Sequence, residues 1–406
     1  MLDAVYLSLS PASGRGLNGQ LRDCLEQLAV ACGGGLSAAR RVLKLTAFIH
    51  SRSGADFLAR RARVAAALKK LFQGNPPPSS VVAQSPEEGL DVALYAEALP
   101  PESGEAVLAY RFLDGLRYGA VQYPDYKEIF GAGLTADLRF RGTPARSAEA
   151  FRLMARILEA EQMSVGDVIR QWNYIEGLLR RRPAASGTRQ NYQDFNDARR
   201  RSYDEGRFSA GYPAATGIGQ ARGGVLVEFQ AVSPGGAFQA VPLSNPLQVD
   251  AHRYSQNVLV GGKGRAGRLK APPLFERGKF VGRAGSGIVF VSGTAAVRGE
   301  STSPHGDVES QTRVTIANIL SLISQGNLNR HGIDADRTPG PLAYLRGYVK
   351  RRRDVPAVKK ICSELLGAVP SNFVTADICR DDLLVELEGV VPVGLRAKKR
   401  EKGDLP

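Results

Sequence analysis

Apolar and polar positions follow the same order three times along this chain. In the first hundred residues, NGQLRDCLEQLAVAC (18–32) places apolar side chains three and four apart, the spacing of one helical face. RVLKLTAFIH (41–50) is a compact apolar run read as a strand, and DFLARRARVAAALKKLF (56–72) returns to helical spacing. Pro76, Pro77 and Pro78 break that helix, and SVVAQ and LDVALYAEAL (90–99) read as strands. The middle repeats the order. ARSAEAFRLMARILEAEQM (145–163) is a helix, VIRQWNYIEGLL (168–179) a strand, and RQNYQDFNDARRRSYDEG (189–206) a helix followed by Pro213; GGVLVEFQAV (223–232) is the closing strand. The last third does so again. SQTRVTIANILSLIS (310–324) and VPAVKKICSELLGA (355–368) are helices, and PLAYLRGYV (341–349) between them is a strand. After Pro370, FVTADIC and LLVELEGVVPV (383–393) are strands, the second alternating with a period of two.

Helix, strand, helix, proline, strand, three times over, predicts three copies of one α/β (α+β) module. Each is a small mixed sheet with two helices on its outer face. The other sheet face is left open, and three open faces close on one another in a pseudo-threefold arrangement, a fused version of a trimer. The expected modules are residues 1–104, 105–234 and 235–396, with a basic tail at 397–406. Linkers are expected near Pro100–Gly104 and Ser233–Gly236, and Pro183–Gly187 and Gly261–Gly267 are expected to be poorly ordered.

Composition narrows the class. Of 406 residues, 43% are hydrophobic and 23% charged, which suits a globular chain with a sizeable core. The N-terminus lacks a basic start followed by an apolar run, and no apolar stretch approaches the length of a membrane span, so a cytoplasmic protein is expected. Cys24, Cys32, Cys362 and Cys379 form no CxxC pair, and the four histidines lack metal-ligand spacing. The cysteines therefore read as free thiols, with no metal or cofactor expected. The net charge of +14 favours an anionic partner. Aromatics are 7% and do not interleave with the basic runs, which argues against nucleic acid and for a small anion.

At this point several segments resemble known families. VFVSGTAAVRGESTSPHGDVESQTRVTIANI (289–319) looks like the strand-to-helix segment of the YjgF/RidA superfamily. QWNYIEGLL (171–179), YQDFNDARRRSYDEG (192–206), YPAATGIG (212–219), APPLFERG (271–278) and SGTAAVRGE (292–300) together resemble the chorismatases, across most of the chain. One departure matters. RidA-type imine deaminases resemble one another in an arginine just after the helix-ending proline, and PPPSSVVAQ, YPAATGIG and VPSNFVTAD here contain none.

The chorismatase resemblance implies a monomer that takes chorismate, needs no cofactor and releases pyruvate. The chemistry starts with protonation of an enol ether, which needs a general acid in a water-poor pocket. The resemblance places that acid at Glu300. Two substrate carboxylates call for arginine forks. The resemblance points to Arg277 and Arg199, with Arg200 or Arg201 as alternatives to the latter; Arg298 is a further candidate, its direction left open by strand alternation. Tyr192, Tyr203, Tyr212, Ala215, Thr216 and Gly293 are expected around the ring. His305 and Asp307 read as a turn and a helix cap, and Trp172 as core. The resemblance further implies that a cysteine near the Gly293 position accompanies hydroxybenzoate formation. Its absence here favours simple hydrolysis to a dihydroxycyclohexadiene carboxylate over 3- or 4-hydroxybenzoate. The alternatives are an imine deaminase of the RidA type and a basic RNA-binding module.

Overall fold

The computed structural model describes residues 4–396 apart from 13–14, 34–40, 101–105, 138, 185–186, 204–207, 234–237, 261–269, 284 and 337–339. The first sheet has four strands, β1 (Val5–Leu9), β2 (Val42–Ile49), β3 (Ser79–Val82) and β4 (Val92–Ala98), in the order β1-β4-β2-β3. Helices α1 (Gly16–Ala31) and α2 (Gly54–Leu71) cover one face. The second sheet is built from β5 (Val107–Leu113), β6 (Leu116–Gln122), β7 (Lys127–Thr135), β8 (Val168–Glu176), β11 (Ala214–Gln220) and β12 (Val225–Val232), in the order β11-β8-β12-β7-β6-β5. Between β8 and β11 lie a hairpin, β9 (Arg181–Ala184) and β10 (Gly187–Gln190), and the second of two covering helices, α3 (Gly142–Ala160) and α4 (Asn191–Tyr203). The third sheet orders β13 (Gln239–Leu243), β14 (Gly278–Arg283), β15 (Ser286–Ala295), β20 (Val385–Gly394), β18 (Tyr344–Val349) and β19 (Ser371–Thr375). A ribbon of β16 (Val297–Arg298) and β17 (Ser301–Thr302) leads into α5 (Val308–Leu322), with α6 (Gln325–Arg330) and α7 (Val355–Leu366) following.

One four-strand pattern recurs. β1-β4-β2-β3, β7-β12-β8-β11 and β15-β20-β18-β19 each end in a parallel pair, and their other neighbours are antiparallel. The predicted helices and strands of the repeat fall within a few residues of the observed ones. Each copy also begins with a strand, β1, β7 or β15, that the repeat as read from sequence omitted. Pro183–Gly187 was expected to be irregular; β9 and β10 pair antiparallel there, with 185–186 outside the described residues. Gly261–Gly267, most of both expected linkers and the 397–406 tail also lie outside them.

Every residue of β2, β4, β12 and β18 is buried. One face packs on helices, giving three separate sheet–helix cores. The other face joins a shared core that draws Phe48 and Tyr95 from the first sheet, Trp172 and Tyr174 from the second, and Phe290, Tyr344 and Tyr348 from the third. The alternation in LLVELEGVVPV therefore does not separate core from solvent. Leu387, Val391 and Val393 face the helices, and Glu386, Glu388 and Val390 face the molecular centre.

Candidate active site

The central face is charged as well as aromatic. Lys44 Nζ lies 3.3 Å from Glu97 and 3.1 Å from Glu228, Arg170 lies 2.7 Å from Glu388, and Arg346 lies 3.0 Å from Glu388. All six are buried. Lys44 stands 3.4 Å from the centre of the Trp172 ring, and Trp172 Nε1 donates to Glu388 Oε1 at 2.8 Å. Buried charge is tolerated only when paired and hydrogen-bonded, and these groups meet that condition across the sheet boundaries.

Where the second and third sheets meet, β11 and β15 do not close fully. Ala215 N donates to Ser292 Oγ at 2.9 Å and Gly293 N to Thr216 Oγ1 at 3.1 Å, and beside this seam lies a cleft. Its wall includes Ala215, Gly217, Gly293, Ala295, Val297 and Phe275, with Tyr192 on α4. Glu386 of β20 reaches the cleft. A Cβ at position 293 would lie inside the envelope of Glu386 Oε1 and 3.0 Å from Cδ, so glycine leaves the room that this carboxyl occupies. Burial first, then the negative charge of Glu388, push Glu386 up to about 8, against the pull of Arg170 and Arg277. Glu388 is the opposite case. Burial alone would raise it, but Arg170 and Arg346, with hydrogen bonds from Thr216 and Trp172, hold it below the usual carboxylate range. The strand thus presents one carboxyl kept neutral and one kept ionised, two residues apart.

The same cleft holds two guanidinium groups. Arg277 and Arg380 both line the cleft, and each lies 5.3 Å from the centre of the Tyr254 ring. Arg277 donates through Nε and Nη2 to the Val249 carbonyl, and through Nη2 to Tyr254 Oη at 2.7 Å. Cys379 sits on the same wall, seven residues before Glu386; burial pushes its thiol up to about 12, so at neutral pH it is uncharged.

The residues expected from sequence divide between the cleft and its supports. Tyr192, Ala215, Gly293 and Arg277 line it. Glu300 does not. Its carboxylate accepts from Ser255 N at 2.9 Å and Ser255 Oγ at 2.7 Å, bonds that hold it below the usual carboxylate range, so it is ionised and already engaged. Its carbonyl accepts from Arg380 Nη1 at 2.7 Å. Glu300 therefore pins the 249–260 strap, whose Tyr254, Val258, Leu259 and Val260 line the cleft. Arg199 is buried behind the cleft, donating to the Leu274 carbonyl and Asn196 Oδ1 and stacking on Phe195. Arg200 and Arg201, on the same helix, are not among the cleft-lining residues. Tyr203 donates to Gln171 and packs among Phe151, Phe208 and Tyr212, outside the cleft wall. Thr216 donates to Glu388 and lies one step beneath the surface. Strand alternation resolves at β16: Val297 faces the cleft and Arg298 turns to Asn318 Oδ1 at 2.8 Å. Asp307 caps α5, accepting from the backbone of Glu309 and Ser310; His305 lies 3.2 Å from Asp382 on the surface, and Trp172 is buried.

Sequence reasoning missed Glu386, Arg380, Cys379 and Tyr254. One signal was present: two glutamates within an otherwise apolar closing strand, LLVELEGVVPV, where an unpaired charge is costly.

A carboxyl kept neutral by burial, two arginines, apolar side chains and the amides of Gln190, Gln193, Asn196 and Gln248 line one cleft, a candidate site for a small anion. Residues 110–231 match the family model described as chorismatase FkbO/Hyg5-like, N-terminal. A 3-hydroxybenzoate synthase of Streptomyces hygroscopicus is 37% identical over 283 residues, 68% of this chain and 77% of that one. A chorismatase of Streptomyces rapamycinicus is 34% identical over 327 residues, 79% of this chain and 88% of its own. A chorismatase crystal structure shares the fold, with a TM-score of 0.65 and 23% identity over 96% of this chain and 98% of that one. The chain belongs to the chorismatase family.

Proposed function

We propose that this enzyme cleaves the enolpyruvyl ether of chorismate, with Glu386 rather than Glu300 as the general acid. The supporting observation is the buried, neutral Glu386 carboxyl that lines one cleft together with Arg277 and Arg380. The arginines hold the two carboxylates of the substrate, and Glu386 gives its proton to the terminal methylene of the enol ether. The ether carbon becomes an oxocarbenium ion, which the dry wall leaves open to attack.

Two outcomes share that step. Water adds to the cation and the hemiketal collapses, consuming one water and giving pyruvate and a dihydroxycyclohexadiene carboxylate. Alternatively the neighbouring ring hydroxyl displaces the side chain. Pyruvate then leaves with the ether oxygen, the attacking oxygen gives its proton to Glu386 and bridges two ring carbons, its bond to its original carbon breaks, a ring proton passes to it, and a hydroxybenzoate forms with no net water. The sequence favoured the first outcome because no cysteine adjoins Gly293 in the chain. Cys379 stands with Gly293 on the cleft wall, which turns the preference to a hydroxybenzoate. The name of the Streptomyces hygroscopicus relative favours the 3-isomer. An uncharged thiol at that wall adds an apolar surface where water would otherwise reach the cation. The three modules, 1–104, 105–234 and 235–396, then act as one cytoplasmic monomer, with the acid in the third.

Incubation of the purified protein with chorismate, with pyruvate and ring products separated by chromatography, tests the proposal. Equal amounts of pyruvate and 3-hydroxybenzoate are expected. Unchanged chorismate would overturn it, and a dihydrodiol would overturn the choice of product.

A further inference from the structure

We infer that Glu388 is a positioning residue that keeps Glu386 protonated and ready to donate, an inference that rests on Glu386 being the acid. The two carboxyls sit two residues apart on the same face of β20, opposite Tyr348 and Arg346 of β18. Two carboxylates so placed in a buried site do not ionise together, and the one with more donors takes the charge. Glu388 has those partners: it accepts from Arg170 at 2.7 Å, from Trp172 Nε1 at 2.8 Å and from the Thr216 hydroxyl, and it pairs with Arg346 at 3.0 Å. No described residue donates a hydrogen bond to the Glu386 carboxyl, which opens on the cleft.

The other groups around Glu386 do not reverse this division. Arg170 on β8 and Arg277 before β14 favour its ionised form, Tyr192 on α4 and Cys379 before β20 are neutral, and Tyr348 opposite it on β18 is a buried neutral phenol. Burial and Glu388 outweigh the two arginines. Thr216 joins the two carboxyls mechanically as well. It donates to Glu388 and accepts from Gly293 N at 3.1 Å, so the glycine against which Glu386 rests is tied to Glu388. Glu388 touches no cleft space and does not meet the substrate; it acts through Glu386.

The test is the pH dependence of kcat for the full-length enzyme and its E388Q and R170Q variants. The reaction needs protonated Glu386, so kcat falls as pH rises through the apparent pKa of the pair. Removing the negative charge lowers that pKa, and E388Q moves the falling limb to lower pH by about one unit or more. Removing the positive charge raises it, and R170Q moves the limb the other way. A merely structural role lowers kcat at all pH values and moves neither limb. Unmoved limbs, or limbs moving in the same direction, overturn the inference. For a variant that fails to fold, the infrared difference between wild type and E386Q at neutral pH decides: a protonated-carboxyl band is expected, and its absence overturns the inference. Full turnover in E386Q would instead remove the assignment of the acid itself.

Discussion

Gly293 lies where the register of β15 on β20 breaks, two residues before Ala295, the strand partner of Glu386, and the glycine's missing side chain is the space in which the Glu386 carboxyl rests. Gly293→Ala places a methyl group against Oε1 and turns the acid away from the cleft. Catalytic groups displaced by about an ångström lose on the order of tenfold to a hundredfold in rate. The expected outcome is a loss of that size in kcat with an unchanged circular dichroism spectrum. Wild-type kcat would show that the carboxyl does not work from this position.

Glu386 and Glu300 separate the two readings of the acid. Glu386→Gln keeps the shape and removes the proton, and its expected loss in pyruvate release is about 10²–10⁴-fold, the range for a general acid. Glu300→Ala frees Ser255 and loosens the strap that carries Tyr254. It is expected to raise KM several-fold and leave kcat within about tenfold of wild type, the signature of a closure element. The reverse ranking, from initial rates of pyruvate formation, would restore Glu300 as the acid.

The pH profile follows from Glu386 being held neutral. Its folded-state value is raised to about 8, so the acid is loaded below that pH and empties above it. kcat is expected to be level near neutrality and to fall by about tenfold per pH unit beyond the descending limb. A profile that rises through pH 8 would contradict a protonated Glu386.

Cys379 is expected to govern the product rather than the rate of ether protonation. Cys379→Ala enlarges the cleft beside Gly293 and admits water. The expected result is a shift from 3-hydroxybenzoate toward the dihydrodiol, with pyruvate release reduced less than the aromatic product. Chromatography of the ring products checks this, and an unaltered ratio would remove Cys379 from the choice.

Lys44, in the first sheet, holds Glu97 and Glu228 at once. Lys44→Met leaves two buried carboxylates without their cation, a change that costs about 3–5 kcal/mol. Equilibrium unfolding in urea should show it as a lower midpoint. A double variant that also carries Glu228→Gln should recover part of the loss, and an unchanged midpoint in the single variant would mean that water reaches this centre.

The repeat was legible in the chain because local periodicity and proline breaks are written residue by residue, and they predicted β2, β4, β8, β12, β18 and the paired helices within a few positions. Arg277, Tyr192, Ala215 and Gly293 were reached through segments that resemble a family, and the cleft joins them. The sequence left undecided where each face points. A glutamate alternating with valine and leucine in LLVELEGVVPV has the pattern of a solvent-facing residue, and only the closure of three sheets turned that face inward. Glu386, Arg380, Cys379 and Tyr254 became neighbours of Arg277 and Gly293 through strand pairing and loop packing within the third module, across as many as 109 positions of chain. Whether a carboxyl is neutral or ionised depends on which charges and donors surround it in space. Periodicity sets the elements, but the Glu386 carboxyl is kept neutral by burial and by the charge of Glu388, and these exist only in the folded molecule.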